Sequence, residues 1–200
     1  MQTANKFTLC RILCAPVFYL LYFMPLWFAQ FPFLSHLSVY LMLLLLAFAE
    51  LTDYLDGKFA RMRNQVTDFG KIFDPFADVF LNLTVFFCLV LSSYLPAIIL
   101  LFIIYREISM MFIRMVAMQE GVAIAARMGG KVKTVTYIIT FFFTLLIESS
   151  IRLELLDTGD SLIRTGKTIS LILFSVCLVL SYASFIDYLI NFRKVLPSKK

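Results

Sequence analysis

Six long apolar runs limit what this chain can fold into. They cover about residues 7–28, 35–56, 70–92, 96–118, 131–147 and 168–190. Each has roughly the 17–25 residues that a helix needs to cross ~30 Å of hydrocarbon. In lipid the backbone finds no water, so each run must satisfy its own hydrogen bonds, and a helix does so within one segment. A hydrophobic fraction of 61% and a mean hydropathy of +0.89 exclude a soluble globule, whose composition is nearer half apolar. The sequence therefore predicts an all-α, polytopic membrane protein with six transmembrane helices, and its 200 residues form one domain over 1–200. Pro16 and Pro25 fall in the first run, where membrane helices tolerate them. Residues 1–24 show no clear small-residue cleavage site, so this run reads as a retained helix, not a signal peptide.

Six spans put both termini on one side. The same side receives the connections around residues 58–69 and 119–130, and with them Lys6, Lys58, Arg61, Arg63, Lys71, Arg127, Lys131, Lys133, Arg193, Lys194, Lys199 and Lys200. The short connections 29–34 and 92–95 carry no Lys or Arg, and the longer one, 148–167, carries both signs. The positive-inside rule then places the termini in the cytoplasm, with the protein in the inner or plasma membrane. The net charge of +5 faces anionic lipid headgroups in this reading, and no nucleic-acid partner is expected. Cys10, Cys14, Cys88 and Cys177 lie within apolar runs without a His or further Cys to complete a zinc site, so they read as packing residues.

Against this apolar background, residues 53–78 hold four aspartates. Asp53 and Asp56 are three apart, and Asp74 and Asp78 are four apart, spacings that put each pair on one helix face. Four carboxylates in a poorly hydrated place cannot all stay ionised unless cations compensate them. The stretch has no Cys or His, and an all-oxygen ligand set suits Mg2+ or Mn2+ better than zinc or copper. Two carboxylate-bearing helices can hold two such ions ~4 Å apart, the arrangement used in phosphoryl transfer. The expected site is a polar cavity that opens to the cytoplasm, with the two helices joined by a polar loop over 58–69.

The full pattern, D-x2-D-G-x2-A-R-x8-G-x3-D-x3-D, comprises Asp53, Asp56, Gly57, Ala60, Arg61, Gly70, Asp74 and Asp78. It resembles the signature of the CDP-alcohol phosphotransferase family, with every fixed position present. The resemblance implies an integral membrane enzyme, likewise a homodimer, that displaces CMP from a CDP-linked lipid by an acceptor hydroxyl. It implies Asp53, Asp56, Asp74 and Asp78 as ligands of two Mg2+ or Mn2+ ions, with Asp78 also the general base. Gly57 and Ala60 would let the nucleotide approach the backbone closely. Arg61 would offer a forked, permanently charged donor to phosphate. Asn5 and Thr8 match the family's Asn-x-x-Thr at the entry of the first helix, and Thr67 matches a hydroxyl position; all three are expected to contact the CDP group.

Other motifs bear on the acceptor. Asp74-Pro75-Phe76-Ala77-Asp78, Arg106-Glu107-Ile108 and Gly130-Lys131-Val132-Lys133-Thr134 resemble the branch whose acceptor is glycerol 3-phosphate. That branch usually has Lys after the last Asp, where this chain has Val79. Intramembrane charges are costly and usually face a bundle interior, so Arg106, Arg114, Lys131 and Lys133 are candidates to bind an acceptor phosphate. Arg106 and Glu107 are adjacent, so they point in different directions and need not pair with each other. The resemblance thus implies CDP-diacylglycerol and glycerol 3-phosphate as substrates. Inositol phosphate, serine or phosphatidylglycerol are alternative acceptors. A cation transporter is the reading from another class, and Arg61 speaks against it, because a cation path gains nothing from a fixed guanidinium.

Overall fold

In a computed structural model of the chain, the backbone is described for residues 3–62, 68–119, 128–157 and 159–195, and the side chains for 8–52, 70, 73–119, 129–157 and 159–191. The described residues form six helices: α1 (Thr3–Trp27), α2 (Pro32–Met62), α3 (Asp68–Leu91), α4 (Ala97–Gln119), α5 (Met128–Arg152) and α6 (Ser161–Val195). Among them, α1, α2, α3, α5 and α6 are long and apolar enough to cross a membrane. The 23-residue α4 differs in carrying Arg106, Glu107 and Arg114. Two of these, Arg106 and Glu107, are buried against neighbouring helices. The exposed side of α4 stays apolar, with Phe102, Tyr105, Ile108 and Phe112, so the helix can face lipid without exposing its charges.

The helices overrun the boundaries expected from hydropathy alone. The loop expected over 58–69 is mostly helix, because α2 continues to Met62 and α3 already begins at Asp68. After Gly57 the chain reads Lys-Phe-Ala-Arg-Met, with good helix formers and no Pro, so polarity alone does not end α2. The long connection expected over 148–167 likewise shrinks. Glu148 and Arg152 form an i,i+4 ion pair at 2.8 Å within the last turn of α5, and α6 begins at Ser161.

The first helix lies at the centre of one half of the bundle, packed against both α2 and α3. Its buried Ala15, Phe18 and Tyr22 follow the i, i+3, i+7 spacing of one helix face. In the other half, α5 and α6 pack together and α4 packs against α3 and α6. Phe86 of α3 joins the halves. Its ring meets Phe141 edge-on at 4.8 Å, Tyr137 at 5.1 Å and Phe174 at 5.5 Å. In lipid such close contacts supply the cohesion that hydrophobicity supplies in water. Cys14, Cys88 and Cys177 are buried packing residues, whereas Cys10 is exposed.

The end of the bundle away from the aspartates is latched by polar groups. Arg152 donates to the Tyr22 carbonyl at 2.7 Å and its guanidinium lies 4.3 Å from the Tyr22 ring. Glu148 accepts from the Tyr94 hydroxyl at 2.8 Å. Tyr94 lies in the α3–α4 connection. Burial, and then the neighbouring Glu148 carboxylate, raise its hydroxyl above the ordinary value, so it remains a donor.

Candidate active site

Asp74 and Asp78 lie one turn apart on α3, on the side facing α1. Their partners on α1 are also nearly one turn apart. Thr8 donates to Asp74 Oδ1 at 2.5 Å, and Arg11 donates from Nη1 to Asp78 Oδ1. Thr8 and Arg11 are almost fully buried, at 1% and 3% exposed, whereas the Asp78 side chain keeps 38% of its surface open. The α3 carboxylates are thus fixed from the α1 side and reachable from another. Pro75, between them, falls within the first turns of α3, near where a missing N–H costs least.

The backbone of α2 carries Asp53, Asp56, Gly57, Ala60 and Arg61 along one continuous helix, and that of α1 carries Asn5. The side chains of Asn5, Asp53, Asp56 and Arg61 lie outside the described residues, as does the whole of Thr67. Among the described residues no three His, Cys, Asp or Glu side chains cluster as a metal site, and only two of the four expected ligands are among them. Those two carboxylates, one turn apart and partly open, provide hard oxygen donors of the kind a divalent cation takes.

A second group of charges is buried between α4, α5 and α6. Glu107 uses both oxygens. Its Oε1 accepts from Lys133 Nζ at 2.6 Å, and its Oε2 from Arg106 Nη1 at 2.8 Å. Arg106 Nε donates to the Ser181 carbonyl at 3.1 Å, the Tyr137 hydroxyl donates to Ser181 Oγ at 3.1 Å, and Lys133 lies 4.9 Å from the Tyr137 ring. Arg106 and Glu107 do pair, although adjacency alone did not require it. The long guanidinium arm bends back to its neighbour, since an unpaired charge buried here would cost several kcal/mol. Lys133 turns inward to Glu107 and does not snorkel to the surface. Arg114 comes two turns after Glu107 on nearly the same face of α4. Its buried Nε has no hydrogen-bond partner among the described residues. Lys131 is exposed.

Arg11 is the residue that sequence reasoning passed over. Its signal was present, as a lone Arg inside an apolar run, three residues after Thr8, and such charges rarely face lipid. The motif's fixed positions drew attention to α2 and α3 instead.

A helical membrane bundle with carboxylates presented at one end defines a polytopic membrane protein with an acidic centre. The chain belongs to the CDP-alcohol phosphatidyltransferase family, whose model matches residues 1–186. This family of membrane enzymes generally depends on a divalent metal ion. The chain is 36% identical over 199 residues to the CDP-diacylglycerol–glycerol-3-phosphate 3-phosphatidyltransferase of Treponema pallidum, covering 98% of this chain and 91% of the relative. It is 34% identical over 148 residues to the protein of the same name from Bacillus subtilis, covering 71% and 75%. Membership of an enzyme family sets the cation-transporter reading aside.

Proposed function

We propose that this enzyme transfers the phosphatidyl group of CDP-diacylglycerol to glycerol 3-phosphate and releases CMP. The observation that carries the reading is the similarity, over nearly the whole chain, to a relative named for that reaction. The chain's own Asp-Pro-x-Ala-Asp, Arg-Glu-Ile and Gly-Lys-x-Lys-Thr stretches support the same acceptor.

In this proposal the acceptor hydroxyl attacks the β-phosphorus of CDP-diacylglycerol. A new P–O bond forms, the bond to the CMP oxygen breaks, and CMP leaves with the bonding electrons. Asp78 takes the hydroxyl proton as the new bond forms, which makes a poor nucleophile competent. Asp53, Asp56, Asp74 and Asp78 would hold Mg2+ or Mn2+, which supplies positive charge to the diphosphate when bound. Asn5, Gly57, Ala60, Arg61 and Thr67 would bind the CDP group, with Arg61 offsetting phosphate charge, while the buried Thr8 would serve it through Asp74, to which its hydroxyl donates. Arg114, whose Nε is buried without a partner, and Lys131 would bind the acceptor phosphate. Arg106 and Lys133, held by Glu107, would add positive charge from behind. The active site and both termini would face the cytoplasm from the inner or plasma membrane. The enzyme would work as a homodimer among membrane lipids.

The test is CMP release by the purified protein from CDP-diacylglycerol and Mg2+ or Mn2+, with a panel of acceptors. Glycerol 3-phosphate is expected to be the best of them, and excess chelator to stop the reaction. A better phosphate-free alcohol such as serine would overturn the acceptor, and full activity in chelator would overturn the metal.

A further inference from the structure

The eight-residue motif places nothing on α1, yet α1 supplies the described partners of both α3 aspartates. Thr8 and Arg11, three residues apart on α1, face Asp74 and Asp78, four apart on α3. The two contacts form one register between the helices. Burying a guanidinium is costly unless its charge is matched, and Arg11 is 3% exposed. Helix packing alone does not call for such a group at that place, since an apolar residue would fill it at lower cost. Arg also differs from Lys in presenting a planar fork with fixed donor directions. Here Nη1 of that fork holds one carboxylate oxygen, Oδ1, and the Asp78 side chain remains 38% open beyond that contact.

We infer that Arg11 is a positioning residue for Asp78: its guanidinium clamps Oδ1 and so sets the direction in which the carboxylate meets the attacking hydroxyl. The inference rests on the transfer reaction proposed above. The competing account is a structural staple, in which Arg11 only joins α1 to α3. The two differ in what a conservative change does. A staple tolerates Lys, which keeps the charge. A clamp does not, because the fork is lost, and misplacing a reacting group by ~1 Å can cost ~100-fold in rate.

The test uses the full chain in liposomes with Arg11→Lys and Arg11→Gln. Three quantities are read on each: kcat and KM for both substrates, CDP-diacylglycerol binding, and the thermal unfolding midpoint in chelator. The clamp predicts a kcat lower by ~10- to 100-fold in both variants. It also predicts that KM and CDP-diacylglycerol binding are nearly unchanged, and that the Lys variant melts close to the wild type. A Lys variant with wild-type kcat, or a loss of rate matched by a loss of CDP-diacylglycerol binding, would overturn it. A thermal double-mutant cycle of Arg11→Gln with Asp78→Ala needs no activity at all. Here the clamp predicts that the second substitution adds little to the first, and full additivity would overturn it. Wild-type protein that releases no CMP with any acceptor would sink the transfer reading instead, and the cycle would still decide whether Arg11 and Asp78 act as a pair.

Discussion

Two buried charge clusters lie in this bundle, and they are built in opposite ways. Between α4, α5 and α6, one carboxylate is shared by two cations, and both Glu107 oxygens are taken. Along the α1–α3 contact, two carboxylates one turn apart meet one described cation, Arg11, and one hydroxyl, Thr8. The first cluster is closed, with Arg106 and Glu107 both 4% exposed. The second is held from one side and open on another. Exposure is the difference. A carboxylate closed over by protein holds helices together but offers no face to a substrate, whereas one gripped from α1 and still 38% exposed, as Asp78 is, can be both placed and reactive.

Substitutions on the two sides should therefore fail in different ways. The largest effect is expected from Asp74→Asn. It removes a charge from the open cluster, and CMP release should fall to background while the protein remains in the membrane at normal level. Recovery of a folded, membrane-inserted variant with more than a tenth of wild-type activity would break the comparison. Next comes Glu107→Gln in the closed cluster. It leaves Arg106 and Lys133 buried without their carboxylate, and breaking such a pair costs roughly 3–5 kcal/mol. The expected result is loss of thermal stability first, with activity lost only as the fold is lost. A stable Glu107→Gln protein lacking activity would move Glu107 into the reaction and erase the distinction.

Arg114→Ala should have a smaller effect. Removing a charge-assisted hydrogen bond costs about 1.5–3 kcal/mol, which is a ~10- to 100-fold rise in the KM for glycerol 3-phosphate, with that for CDP-diacylglycerol little changed. Equal rises in both would show that Arg114 supports the fold and does not read the acceptor.

The contrast between the clusters also marks what the sequence could and could not disclose. The six helices were legible because apolar runs of membrane-crossing length leave the backbone no other choice. The Asp positions were legible because eight residues at fixed spacing form a pattern that chance rarely makes. Helix ends were less so. Polar residues such as Lys58 and Arg61 read as loop, yet they are sound helix formers, and α2 runs on to Met62. Partnerships were the least legible. Whether Arg106 bends to its neighbour Glu107, or Lys133 turns inward, depends on what α6 and Tyr137 leave open around them. The Arg11–Asp78 contact joins residues 67 apart in the chain, and periodicity along one helix carries no information about a partner on another.

The central claim is that Asp78 performs the proton transfer in a site whose substrate binding does not depend on it, and Asp78→Asn tests this most directly. The change keeps the side chain's shape and removes its capacity to take a proton. On one preparation of this variant, CDP-diacylglycerol binding and CMP release with glycerol 3-phosphate are measured side by side. The account predicts binding close to that of the wild type and release lower by ~100- to 10,000-fold, the range for loss of a general base. Near-normal CMP release would contradict it, and loss of binding together with release would show Asp78 to be chiefly a ligand of the bound ion.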